Sequence, residues 1–330
     1  MILHLRYHIP ALAFLAVFNI VAPVSAQASF DWLNDAADPR GMALANASVA
    51  EARPMEALSL NPASLSGLAG TDSITRSLHI GLRRYPASIN QQMIQAVLPV
   101  GVQVVAFEVR RLGYGSFVGY DIDRQRQAEY SAEDLLLRAG YMRRVGRYLR
   151  LGATLGVLSS RLADVSALAV LWSFGAQLNV APVGLRLGAA VQSEGRFVTN
   201  YGDVMPDQLP TAWLVGLAKS LAYLPVTIYI STGRDMAMKQ LFWRLGSEFK
   251  LSKRVFFRLG VDQGKTAYAR GATYTDLLSG LSLGLGMQWG DGVGEKDKVR
   301  KYPPRFVLDG AIKLLGPLGV SSAIALGVRF

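Results

Sequence analysis

Four groups of residues have types or spacings that could do chemistry. Ser247-Glu248-Phe249-Lys250 has the Ser-x-x-Lys spacing of penicillin-recognising enzymes, a nucleophile with a base three residues on. That chemistry needs both side chains on one helix face. The segment reads as the end of a strand, where a spacing of three puts Ser247 and Lys250 on opposite faces. Gly284-Leu285-Gly286 lacks the third glycine of a dinucleotide fingerprint and reads as the small face of a strand. Asp121, Asp123, Asp203 and Asp207 sit in polar segments, but their spacing fits no calcium loop. His79 lies in an alternating segment and reads as a lumen or packing residue. It is the one histidine beyond the first 26 residues, since His4 and His8 lie within them, so a multi-histidine metal site is not available. The absence of Cys removes disulfides, thiolate nucleophiles, Cys-ligated zinc and a lipoprotein anchor. No triad or catalytic carboxylate pair can be singled out. The expectation is a non-enzymatic protein with no cofactor and no metal.

The elements that carry these residues are set by hydropathy. The chain has 330 residues, of which 51% are hydrophobic and 18% charged, with 33 Gly and a formal net charge of +11. Mean hydropathy is +0.23. After residue 26, however, no run of about 18 uncharged apolar residues appears. The most apolar stretch, 162–181, is interrupted by Asp164, Ser166, Ser173, Gln177 and Asn179. Helical membrane proteins are therefore disfavoured, and the apolar content excludes disorder. The basic balance alone does not choose among nucleic acid, an anionic surface and a positively lined lumen.

The first 26 residues read as a secretory signal. Arg6 gives a positive start, residues 9–22 are apolar, and Val24-Ser25-Ala26 is a small-residue cleavage site before Gln27. Residues 27–72 are Ala-rich, with Asp38-Pro39, Arg53-Pro54 and Asn61-Pro62 as turn signals, and they lack alternation. Short helices and turns are expected there. From about Ser73 the apolar residues alternate with period two. In 276–290, Leu277, Leu281, Leu283, Leu285, Met287 and Trp289 oppose a face of Gly, Ser and Gln. Fourteen such segments are expected, near 73–85, 90–99, 102–112, 134–144, 147–160, 165–180, 183–192, 211–220, 224–232, 239–251, 254–262, 276–290, 304–315 and 319–330. Most have about ten residues, enough for a tilted strand to cross a bilayer. Short connections alternate with long polar ones near 113–133, 193–210 and 263–275, the pattern of an outer-membrane barrel. The charged stretch 291–303 and the tight Gly316-Pro317 turn break it.

The fold expected is all-β: a transmembrane antiparallel barrel of about fourteen strands over 73–330, with 27–72 as an internal plug. A cation on a lipid-facing barrel surface costs about 2–4 kcal/mol at mid-membrane. Arg150, Arg186, Arg258, Asp309, Lys313 and Arg329 stand opposite the Leu/Val/Phe rows and are expected to line the lumen. Phe242 and Phe256 would add apolar lumen surface. The basic excess then belongs to lumen and loops, with no nucleic-acid partner. The last strand ends on Val328 and Phe330, which resembles the signal read by barrel-assembly machinery.

Two ordered segments carry a family resemblance. One is Arg40-Gly41-Met42-Ala43-Leu44-Ala45-Asn46-Ala47-Ser48-Val49-Ala50, and the other Glu56-Ala57-Leu58-Ser59-Leu60-Asn61-Pro62-Ala63-Ser64-Leu65. Together they resemble the N-terminal hatch of FadL-like outer-membrane barrels. A second Gly common in the first run is replaced here by Ala45 or Asn46. Within that group the chain resembles the PorV/PorQ family of the type IX secretion system, and PorQ most closely. That likeness rests on Tyr114-Gly115-Ser116-Phe117, Tyr130-Ser131-Ala132-Glu133-Asp134-Leu135, Gly140-Tyr141 and Leu158-Ser159-Ser160-Arg161-Leu162. The resemblance implies a fourteen-stranded plugged barrel, with Asn61, Pro62 and Ala63 as the matching hatch residues. It also implies a role in protein secretion and surface attachment, with secretion components or exported proteins as partners besides outer-membrane lipid. The alternative is a FadL-like transporter of a hydrophobic ligand, which needs an apolar pocket beside the plug and a lateral opening or strand kink. The charged inner faces count against that alternative.

Overall fold

Period-two alternation gives each strand one apolar and one small or polar row, and closing the sheet on itself puts these rows on opposite sides of a wall. A computed structural model describes residues 30–65, 76–120, 123, 125–202, 208–266, 278–290 and 305–330. Its strands are β1 Ser77–Arg84, β2 Asn90–Val100, β3 Gln103–Tyr120, β4 Arg126–Val145, β5 Leu149–Leu162, β6 Val165–Val180 and β7 Leu185–Thr199. They continue as β8 Ala212–Ser220, β9 Val226–Asp235, β10 Leu241–Lys250, β11 Val255–Asp262, β12 Leu281–Trp289, β13 Arg305–Leu314 and β14 Val320–Arg329. Each pairs antiparallel with its sequence neighbours, and β1 pairs with β14, so the fourteen strands form a closed barrel. The expected fold class is the observed one. Among the described residues no helix is long and apolar enough to cross a membrane.

Outward rows are apolar and exposed. They include Leu78, Ile80 and Leu82 on β1, Leu285 and Met287 on β12, and Ile324 and Leu326 on β14. Such a belt is stable against lipid tails and would be costly in water. Where β1 begins and β14 finishes, here the proximal end, Trp289 and Phe306 stack with ring centroids 5.7 Å apart. Aromatic pairs of this kind form the girdles of membrane barrels.

The wall is uneven. β3 to β7 have 14–20 residues, while the other strands have 8–11. This corrects the long loops expected at 113–133 and 193–210. β3 and β4 continue as a hairpin to Tyr120 and Arg126, and β7 runs to Thr199. These extensions mix Gly, polar and aromatic residues on both rows, so they carry no hydropathy alternation even though their backbones remain paired. The signal segment, Asp121, Asp203, Asp207 and the 291–303 stretch lie outside the described residues.

The N-terminal residues do not join the wall. Two short helices, α1 (Pro39–Ala43) and α2 (Pro54–Leu60), alternate with 3-10 turns at Asp31–Leu33, Ser48–Ala50 and Pro62–Ser64. Asp38 caps α1, accepting from the Arg40 and Gly41 amides, and Pro39 and Pro54 open the two helices. The segment lies inside the barrel, and its backbone reaches the wall at three places where two glycines face each other on adjacent strands. Pro62 and Ala63 lie on the Gly152/Gly175 pair, Val49 and Ala50 on Gly188/Gly216, and Leu44 and Ala45 on Gly246/Gly260. A methyl added at Gly188 would sit 2.6 Å from the Val49 carbonyl oxygen. At the third contact Ala45 and Asn46 take left-handed backbone, with φ of 53° and 61°. A glycine would adopt that conformation without strain, which gives the hatch pattern's second Gly a physical reason.

Gly188→Val should therefore displace the inner segment and destabilise the barrel by about 1–3 kcal/mol through overpacking. Gly202→Ala, with nothing within 4 Å of the new methyl, should stay within about 0.5 kcal/mol of the parent. Urea unfolding of the detergent-solubilised barrel measures both. Equal loss in the two variants would contradict the close-packed interface.

Candidate functional site

Most charge on the inner faces is paired, and much of it pairs with the internal segment. Glu248 on β10 is the hub, accepting from Arg40 Nε at 3.0 Å, Arg53 Nη2 at 3.2 Å and Arg258 Nε at 2.6 Å. Arg40, fully buried, also donates to Glu56 Oε1 at 2.6 Å and to the Tyr229 hydroxyl at 2.9 Å. Arg258 reaches across the wall to Asp309 at 2.5 Å. Arg186 donates to Glu51 at 2.7 Å, and Lys313 to Asp262 at 3.0 Å. Arg150 bonds Gln177 at 3.1 Å, and Gln177 in turn donates to the Ala50 carbonyl at 2.6 Å. Arg329 is partly buried, in register with Ser77 and Arg305. Alternation could assign the wall residues to a face. It carried no signal for Arg40, Arg53, Glu51 and Glu56, which lie in a segment without period, and it passed over Glu248. Inside that segment burial pushes the Asp38 carboxyl well above the usual carboxylate range. Glu56 and Asp309 add to the rise, while Arg40 and the Gly41 amide oppose it.

The Asn-Pro-Ala residues tie α2 to the wall. Asn61 ends α2 and caps the next turn, accepting from the Ala63 amide at 3.1 Å. Its Nδ2 donates to the Val49 carbonyl at 2.9 Å and to the Ala176 carbonyl of β6 at 3.1 Å. Pro62 lies over the glycine pair of β5 and β6. Phe330 is exposed and its amide donates to the Arg76 carbonyl at 3.0 Å, while Val328 is half-buried beside Leu78 and Phe306.

Phe242 and Phe256 do not offer bare apolar surface. Arg244 covers Phe242 at 4.4 Å, and Arg53 and Arg258 cover Phe256 at 5.4 and 5.8 Å. The apolar inner surface lies elsewhere, toward the distal end opposite the terminal strand ends. There Leu112, Leu136, Leu158, Ala169 and Leu171 form a buried layer with Trp32 and Leu33 of the internal segment. Asp134 fixes Trp32 by accepting its indole N–H at 2.9 Å. The charged inner faces are thus confined to part of the lumen and do not count against an apolar compartment beside the plug.

The wall next to this layer is broken. The β6–β7 register shifts between Trp172 and Phe174, and Ser193 takes a φ of 48°. Its amide donates to Ser173 Oγ at 3.1 Å in place of a ladder bond. Pairing of β7 with β8 stops at Gln192. On the outer face of the wall at this place lies an apolar hollow of about 660 Å³, lined by outward residues that include Phe174, Trp213, Val215 and Leu241. A second hollow, of about 470 Å³, lies beyond it against Gly195, Phe197, Leu209, Thr211 and Met236.

The remaining candidates are structural. His79 is buried with Nε2 2.9 Å from Ser77 Oγ, and its ring fills the space opposite Gly327. Ser247 and Lys250 lie on β10, three residues apart on opposite rows. Gly284 and Gly286 make room for Ala43 and for the Arg258–Asp309 pair. Among the described residues no cluster of His, Cys, Asp or Glu could hold a metal.

No family model and no curated protein matches the sequence. Solved structures do resemble the fold. The toluene transporter TbuX of Ralstonia pickettii aligns over 89% of this chain and 97% of its own, with a TM-score of 0.55 at 13% identity. The toluene transporter TodX of Pseudomonas putida aligns over 94% and 98%, with 0.53 at 11%. A FadL homologue of Pseudomonas aeruginosa aligns over 89% and 98%, with 0.51 at 10%. The chain shares with them the architecture of a FadL-like barrel.

Glu248→Gln removes the one anion shared by three buried guanidinium groups and should cost about 3–5 kcal/mol of barrel stability. Glu133→Gln, which breaks the exposed Arg111–Glu133 pair at 2.7 Å, should cost under about 1 kcal/mol. Thermal melts of the two proteins in the same detergent separate these outcomes.

Proposed function

We propose that the chain is a non-enzymatic channel in the outer membrane of a Gram-negative bacterium, admitting small hydrophobic molecules. The observation that carries this reading is the apolar layer of Leu112, Leu136, Leu158 and Leu171 inside the barrel, where membrane barrels are ordinarily polar. Beside it the β7 bulge supplies the strand kink that such a route needs, and the 660 Å³ hollow lies on the lipid-facing side of the same stretch of wall, where a lateral exit would open. The fold likeness to two toluene transporters adds support for a monoaromatic or similar hydrocarbon as cargo. Residues 1–26 would direct export, with cleavage near Ala26-Gln27. Residues 27–72 would form the plug of the 73–330 barrel, and Phe330 with Val328 would guide assembly. The outward belt would contact outer-membrane lipid.

A second reading keeps a secretion partner, as the PorV/PorQ resemblance implies. What supports it is that Tyr114, Phe117, Tyr130, Asp134, Ser160 and Leu162, all from the segments carrying that resemblance, line one hollow near the distal end. Co-purification with secretion components or exported proteins tests it, and unchanged export of surface proteins after deletion would remove it.

Uptake of labelled toluene by cells carrying the chain tests the first reading. Leu158→Asp places a carboxylate in the apolar layer and should lower uptake about tenfold or more. Equal uptake with and without the chain would overturn the proposal.

A further inference from the structure

Most buried carboxylates of the barrel have a cationic partner, and one that lies deep in the wall does not. Glu51, Glu56, Glu108, Glu248, Asp262 and Asp309 each form an ion pair with Arg or Lys. Asp134 is 1% exposed and takes only neutral donors: Trp32 Nε1 at 2.9 Å, the Tyr114 hydroxyl at 2.7 Å and the Ser160 hydroxyl. Ser160 accepts in turn from the Tyr201 hydroxyl. A hollow of about 260 Å³ opens over this carboxylate, walled by Phe30, Tyr114, Phe117, Tyr130 and Tyr201.

The wall depends on a bulge. Tyr114 and Phe117 are three residues apart and would point to opposite faces of a regular strand. Gly115, at a φ of 89°, shifts the register between Gly113 and Gly115, leaving Tyr114 as the extra residue. Phe117 then pairs with Tyr130, the two rings stacking at 5.5 Å, while Tyr114 bonds Asp134.

Neutral donors spread the charge of a carboxylate but do not cancel it, so burying it without a cation is costly. Aromatic faces add negative potential of their own. Both features favour a cation, and one that gives up little hydration on entry. Arg161, the other charged residue lining the hollow, is exposed on β5 in register with Glu133. We propose that this aromatic hollow over Asp134 binds a compact organic cation, a methylated or alkyl ammonium on a small apolar body. The inference does not rest on hydrocarbon transport, because binding is measured on the full chain in nonionic detergent with no transport step.

Choline and 3,3-dimethylbutan-1-ol form the test pair, since the second replaces the ammonium nitrogen by carbon at nearly constant shape. Calorimetric titration should show choline binding at least about tenfold tighter than the alcohol, in line with a desolvated cation over several rings. Asp134→Asn should weaken choline about tenfold and leave the alcohol unchanged. Tyr130→Leu, at an exposed wall position, should weaken choline severalfold without loss of folded barrel. It keeps the test decisive if Asp134→Asn fails to fold. Equal affinity for both ligands, no binding of either, or choline affinity unchanged in a folded Asp134→Asn or Tyr130→Leu protein would overturn the proposal. Toluene uptake is unaffected by those outcomes, so the two readings fail separately.

Discussion

The carboxylate of Glu248 holds three guanidinium groups, two from the N-terminal segment and one from the next strand. A group of charges this deeply buried is tolerable only if each has a partner at short range. That requirement fixes where Arg40 and Arg53 stand, and through them the whole path of the segment. Arg258 then passes the constraint to Asp309 on β13. The glycine pairs are the steric counterpart of the same demand. The charges can meet only if the backbone of α1 and its turns lies against the wall, and a side chain at Gly152, Gly188 or Gly260 would hold it off.

The lumen is therefore two environments. Around most of its circumference it is an ion-paired, glycine-lined contact between the internal segment and the wall, which reaches the distal ends of β1, β11 and β13 at Arg83, Asp262 and Lys313. Toward the distal end, over β3 to β6, it becomes an apolar layer closed by Trp32 and Leu33. The polar half gives the plug a fixed position, and the apolar half gives the interior a surface that water does not favour. The broken β7 ladder falls beside the second, where loss of pairing exposes backbone next to hydrocarbon side chains rather than to fixed charge.

Fold class and strand number were legible because one periodicity, repeated fourteen times, decides them. Alternation also assigns Arg258 and Asp309 to one face without any structure. What it could not supply was the partners of Glu248, because Arg40 and Arg53 belong to a segment without period and stand some two hundred positions away. The distal hairpin was hidden for a different reason. Both of its rows mix glycine, polar and aromatic residues, so strand and loop look alike in hydropathy. The bulge at Gly115 also changes the parity on which any face assignment depends. Phe242 and Phe256 were assigned to the lumen by the same rule, but a rule about faces does not say that an arginine will lie over each ring.

The distance along the chain between Arg40 and its partners has a temporal meaning. The N-terminal segment leaves the ribosome first, whereas Glu248, Arg258 and Asp309 come from the last third of the sequence. Its helices have five and seven residues, too short to persist alone in water. The glycine pairs and the shared carboxylate exist only once β5 to β13 stand side by side. The internal segment is thus made before the strands whose glycines and carboxylate give it its shape, and the barrel wall is the template for its path.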